Sequence, residues 1–149
     1  MSVFKGSILN VERLTKKFSK LEKVGLTAQR KTVKEAILLV HEIAVKSIQE
    51  NGDGTPATRY DPYRKVNVSD PGDPPNTDTG RLARGIKFEF EGDGMIGRVG
   101  TNVKYGAWLE FGTKIMEARP WLQPAVDAAS KKISEIARKN IADSLKGDL

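Results

Sequence analysis

Apolar residues recur at helical spacing from Ile8 to Ile48, and no other feature restricts the fold of this sequence so strongly. Ile8, Val11, Leu14, Phe18 and Leu21 stand three or four residues apart and form one stripe along a helix, with basic residues mainly on the other faces. Gly25 interrupts the pattern and marks a break, a kink or only a weak spot. The period resumes with Val33, Ile37, Val40, Ala44 and Ile48. Asn51-Gly52 then provides a stop, because both residues tolerate the left-handed backbone that ends helices. Residues 7–50 are therefore expected to hold two consecutive amphipathic helices or one long kinked helix.

Residues 51–77 differ in character. The stretch opens with Asn-Gly-Asp-Gly-Thr-Pro and closes with Asp70-Pro71-Gly72-Asp73-Pro74-Pro75. Proline fixes φ and restricts the residue before it, so the tract is expected to be a surface loop, with at most a short strand at Arg64–Val68. Loops of this length in small domains commonly serve as interaction arms; a disordered insertion is the alternative. Over residues 78–123, Thr79 is a candidate N-cap for a short helix. Ile86, Phe88 and Phe90 alternate with Lys87, Glu89 and Glu91, the period of a half-buried strand. Gly92-Asp93-Gly94 turns that strand back into Met95–Gly100 as a hairpin. Tyr105–Phe111 reads as a short helix or an extended segment on the sheet. A final helix over 124–146 opens on Pro124 and aligns Val126, Ala129, Ile133, Ile136, Ala137, Ile141 and Leu145 on one face. The expectation is one α+β domain over residues 1–149, with helices packed on one face of a small antiparallel sheet.

Composition narrows the function classes. The chain has 149 residues, 38% of them hydrophobic and 30% charged, which fits a globular domain rather than a disordered one. No apolar run reaches the roughly 18 residues of a membrane span, and the N-terminus lacks a secretory pattern. With no cysteine there is no disulfide framework, thiol nucleophile or zinc–thiolate site, and synthesis in a reducing cytosol is the default. Residues 1–35 carry nine Lys/Arg against three Glu, and the remaining sixteen basic and sixteen acidic residues cancel. The whole excess of +6 thus lies in the N-terminal quarter. Arg13, Lys16, Lys17, Lys20 and Lys23 are accordingly candidates for contact with DNA or an acidic partner; a solvated helix face is the alternative.

No constellation for catalysis emerges. His41 is the only histidine, has no carboxylate at ligand spacing, and is read as a packed structural residue. The glycines around Asp93 lack the strand–glycine–helix context of a phosphate loop. The expected sites are therefore neither catalytic nor metal- or cofactor-binding.

Two clusters carry a resemblance. One runs from Pro71 to Ile86 and contains Thr79-Gly80-Arg81-Leu82. The other comprises Tyr105-Gly106-Ala107-Trp108-Leu109-Glu110-Phe111-Gly112-Thr113 and then Ala118-Arg119-Pro120-Trp121-Leu122-Gln123-Pro124-Ala125. Together they resemble the tail-completion, or neck, proteins of long-tailed bacteriophages and gene transfer agents. Gly85 departs mildly from that pattern, where a small polar residue is common. The basic helix before Gly25 is read as an addition to it.

On this resemblance Thr79, Gly80, Leu82, Tyr105, Glu110, Phe111, Gly112, Arg119, Pro120 and Trp121 are scaffold residues. Gly80 and Gly112 suit sharp reversals. Arg119 and Glu110 are expected either to pair, fork on carboxylate, or to stand as separate surface charges. The resemblance implies a non-enzymatic virion protein at the head–tail interface, forming a homo-oligomeric ring of six copies. A head connector or stopper would lie above the ring, a tail terminator or tail tube below it, and DNA would pass through its lumen. The resemblance implies no cofactor and no membrane. A tail terminator ring, or a nucleic-acid-binding module using the basic helix, are the competing readings.

Overall fold

The computed structural model describes residues 4–60 and 62–146, with the backbone alone for residues 4–10; the Ile8 member of the first stripe therefore lies outside the described side chains. The expected helix pair is one element, α1 (Phe4–Glu50), which runs unbroken through Gly25. A single exposed glycine weakens a helix by about 1 kcal/mol, which a helix this long absorbs. At about 1.5 Å per residue, α1 is roughly 70 Å long.

The tract expected to be an irregular loop is largely a hairpin. β1 (Thr55–Tyr60) pairs antiparallel with β2 (Tyr63–Val68), in a register that places Ala57 opposite Val66 and Tyr60 opposite Tyr63. The strand anticipated at Arg64–Val68 is present; its partner was hidden by Pro56. A two-stranded sheet consists only of edge strands, where proline is tolerated. Side-chain amides tie the irregular remainder to the body. Asn51 Nδ2 donates to the Pro74 carbonyl at 2.6 Å, and Asn76 Nδ2 donates to the carbonyls of Asp53 and Asn67 at 2.5 and 3.1 Å.

Next come a single-turn helix, α2 (Arg81–Gly85), and the expected hairpin of β3 (Ile86–Glu91) and β4 (Ile96–Thr101). The cap of α2 is a correction. Gly80, at φ 69°, holds the N-cap position, and the Thr79 hydroxyl accepts only a long 3.4 Å hydrogen bond from the Arg81 amide. In the second hairpin Phe88 faces Val99 and Phe90 faces Gly97 across the strands. Gly97 has no side chain because α1 lies against it: a Cβ there would sit 2.1 Å from Ile37 Cγ1. His41 packs as expected of a structural histidine. Its Nε2 lies 3.2 Å from the Ile86 carbonyl oxygen, and its ring meets Phe88 edge-on at 5.3 Å. Arg30 pairs with Asp93 at the hairpin turn.

Two more helices complete the chain, α3 (Lys104–Phe111) and α4 (Gln123–Lys146). Ala125 and Trp121 join Ala44, Ile48, Leu82, Ala83, Ile86 and Val103 in the core. Further along, the buried Asn140 donates from Nδ2 to Thr32 Oγ1 at 3.3 Å and Glu35 Oε2 at 3.1 Å. These contacts at the two ends of α4 fix it antiparallel to the C-terminal half of α1. The protein is thus α+β, with a long N-terminal helix, two small antiparallel hairpins and a C-terminal helix packed with them. Since α4 is only about half as long as α1, the residues of α1 before Val24 extend past the packed body. Among the described residues, no helix is long and apolar enough to cross a membrane.

Candidate interaction surfaces

Glu110, near the end of α3, organises the connection from α3 to α4. The segment Pro120-Trp121-Leu122-Gln123 offers no capping hydroxyl or carboxylate of its own, yet the amides leading into and opening α4 need acceptors. Glu110 supplies them. Its Oε2 accepts the backbone N–H groups of Trp121 and Leu122 at 2.8 and 2.9 Å, and its Oε1 accepts that of Gln123 at 2.9 Å. A carboxylate at a helix N-terminus is also favoured by the helix dipole.

This geometry corrects the expected pair between Glu110 and Arg119. The Glu110 oxygens face backbone amides, and Arg119 reaches the other way, donating from Nε to the carbonyl of buried Ser69 at 2.9 Å. Arg119 therefore ties the α3–α4 connection to the end of β2. Its own amide donates to the Leu109 carbonyl at 2.7 Å, and the Gly72 amide donates to the Ala118 carbonyl at 2.9 Å. The separation of the two charged groups reflects competition. A carboxylate surrounded by unpaired helix amides satisfies several donors at once.

The remaining motif residues fall into place around this connection. Trp121 is buried and donates from Nε1 to the Gly106 carbonyl at 3.0 Å. Leu82 is buried beside it, Tyr105 packs partly buried against the same core, and Pro120 is half-buried. Gly112, at φ 72°, turns the chain out of α3; a Cβ there would lie 2.9 Å from the Met116 carbonyl oxygen. Thr113 closes the turn, its amide donating to the Met116 carbonyl at 2.7 Å while its hydroxyl accepts the amides of Ile115 and Met116.

That turn presents large apolar side chains to the outside. Phe111 is 83% exposed, Ile115 98% and Trp108 57%. The aromatic sequence cluster divides accordingly: Trp121 and Tyr105 join or flank the core, whereas Trp108 and Phe111 face outward. Periodicity could not separate them, because α3 is only eight residues long. A second aromatic pair, Tyr60 and Tyr63, stands exposed at the tip of the first hairpin with its rings 6.1 Å apart. One pair back from the tip, on β2, Arg64 grips Asp78 with two hydrogen bonds of 2.6 Å. The guanidinium holds the Asp78 carboxyl below the ordinary carboxylate range, first through hydrogen bonding and then through its charge.

Arg13, Lys16, Lys17, Lys20 and Lys23 all lie exposed on the projecting part of α1. The apolar stripe between them, Val11, Leu14, Phe18 and Leu21, is exposed as well. A packed α+β body with outward-facing aromatics and a projecting amphipathic helix is the frame of a small structural subunit.

Its family follows from sequence comparison. The profile of the HK97-gp10-like family, described as "Bacteriophage HK97-gp10, putative tail-component", matches residues 12–112, and the chain belongs to that family. It is a bacteriophage tail component, and its place is in the virion. No curated relative and no solved structure matched the chain. The match takes in α1 from Glu12, both hairpins and α3 up to Gly112. The basic helix before Gly25 was read from sequence as an addition, yet its residues Arg13, Lys16, Lys17, Lys20 and Lys23 all lie within the matched stretch. The Ala118–Ala125 motif lies beyond the matched residues.

Proposed function

We propose that the protein is a tail-completion subunit of the phage neck, a homo-oligomeric ring that joins the head connector to the tail tube. Membership of a phage tail-component family is the observation that carries this reading. The exposed aromatics support it, because a monomeric protein seldom leaves contiguous large apolar groups to water. The ring would contain six copies, with a head connector or stopper on one side and a tail terminator or tail tube on the other. Its work is non-enzymatic and lies in binding geometry: the surfaces of one ring match those of the next while the lumen passes DNA. In this reading the whole chain, residues 1–149, acts as one domain. Glu110, Arg119, Trp121 and Gly112 shape the scaffold, and the contacts are made by the side chains it presents.

The first hairpin is the segment assigned to a neighbouring ring. Its exposed pair Tyr60 and Tyr63 is the contact. Particles assembled without the protein test the assignment by electron microscopy. DNA-filled heads beside free tails are the expected product, and normally joined particles would refute it.

One observation favours a second role for the basic residues. Arg13, Lys16, Lys17, Lys20 and Lys23 stand exposed on a helix that leaves the body, where phosphates could reach them. Filter binding of isolated protein to duplex DNA across a salt series tests this; affinity that falls steeply with salt supports it, and no retention at low salt removes it.

A further inference from the structure

The projecting half of α1 and the turn after α3 are both unpartnered apolar surfaces, and they stand at opposite ends of the molecule. The stripe Val11, Leu14, Phe18 and Leu21 continues, in the same three- and four-residue steps, through Gly25 to Ala28, Thr32 and Glu35. From Ala28 onward the stripe is covered: Ala28 is buried, and Thr32 and Glu35 accept hydrogen bonds from Asn140 of α4. Before Val24 the same stripe has no cover, with Leu14 52% and Phe18 67% exposed. The arm therefore carries a helix-packing seam that α4 does not cover over its described residues.

The chain also supplies a surface of the right kind. Phe111 and Ile115 are held outward by the Thr113 turn, and the bond from the Gly72 amide to the Ala118 carbonyl draws the Asp70–Asp73 turn alongside. Asp70, Asp73, Glu110 and Glu117 there outnumber Lys104, Lys114 and Arg119. The two surfaces cannot meet within one molecule. From Leu21 to Ile48, which packs in the Trp121 core, α1 rises about 40 Å.

Charge selects between the possible pairings of two copies. Residues 11–23 hold five basic and two acidic side chains, so arm against arm would bring like charges together. Arm against the acid-edged turn brings opposite charges together.

We infer that the arm of one copy, through Leu14 and Phe18, docks on the Phe111–Ile115 turn of a second copy. Such a contact is heterologous, using different surfaces on the two partners, and it leaves one arm and one turn free at the ends of every open oligomer. Contacts of this kind close into a ring when the rotation between copies divides a full turn. The inference deepens the ring reading proposed above by naming the contact that would build it.

The test uses two variants of the full chain, Leu14→Ser with Phe18→Ser, and Phe111→Ser with Ile115→Ser. All four side chains are more than half exposed, so circular dichroism and thermal melting should match the parent chain. By sedimentation velocity the parent chain should self-associate, less strongly as salt rises, and each variant alone should weaken association at least tenfold. An equimolar mixture should restore a one-to-one complex and nothing larger, because each variant keeps one intact surface. Assembly of the turn variant alone would point to arm–arm pairing and overturn the inference, as would failure of the mixture to associate. A parent chain that stays monomeric at high concentration would also overturn it. None of these results bears on whether particles lacking the protein fail to join head to tail, so the neck assignment stands or falls separately.

Discussion

The Glu110 carboxylate accepts the backbone amide of Trp121 at 2.8 Å, and by this bond the end of one helix builds the start of the next. The same side chain satisfies Leu122 and Gln123, so three orphan donors depend on one residue. Glu110→Ala should lower stability by about 2–3 kcal/mol, the range for losing charge-assisted bonds to a helix terminus. Urea unfolding followed by circular dichroism measures it, and a loss below about 0.5 kcal/mol would contradict the role.

Arg119 acts through Ser69 rather than through Glu110. Arg119→Ala leaves the carbonyl of a buried residue without its donor, at a cost of about 1–3 kcal/mol. A double-mutant cycle of Glu110→Ala with Arg119→Ala should give a coupling below about 0.5 kcal/mol, since the two side chains serve different partners. A strong coupling that weakens with salt would restore the ion pair expected from sequence.

Gly97 and Ile37 occupy the same space from opposite elements. Gly97→Ala should destabilise by about 1–3 kcal/mol through overpacking, because the nearest atom lies close to the root of the Ile37 side chain. Adding Ile37→Ala should recover part of that loss. If the double variant is less stable than the sum of its parts, the close approach of β4 to α1 is not the cause.

Both the agreements and the misses between sequence and structure have identifiable physical origins. The helices, the strand of Phe88 and Phe90 and the Gly92–Gly94 turn were legible because each is a local periodic or turn signal; the expected burial was not met at Phe88, Phe90, Val126, Ile141 and Leu145, which stay exposed. The partner strand of β2 was not: Pro56 hid it, and strand pairing is a relation between segments. Glu110 presented the opposite difficulty. Its chemistry was visible, but the opposite charge matched to it from sequence, Arg119, was a poorer partner than amides eleven to thirteen residues away. The missing cap before Pro124 was the one available signal, and it pointed to an acceptor from elsewhere in the chain. Outward placement of Phe111 and Ile115 had no signal at all.

The Arg64–Asp78 pair gives the first hairpin a dependence on acid. Asp78 titrates below its ordinary range in the folded chain, so its contribution is present above the unfolded carboxylate value and is lost as pH falls through the lower folded value. Backbone amides of β2 should therefore lose protection against exchange, relative to the intrinsic rate at each pH, as the solution is made acid. Asp78→Asn should show the faster exchange at neutral pH and lose the acid step; an unchanged acid step would assign it to another group.

The unequal lengths of α1 and α4 have a mechanical consequence. A helix that leaves its support as a single continuous rod behaves as a lever. With roughly 30 Å of unsupported length, a ten-degree rock of the body would sweep its tip by about 5 Å. Whatever grips the tip therefore senses the tilt of the body amplified, and can in turn impose a tilt with little force.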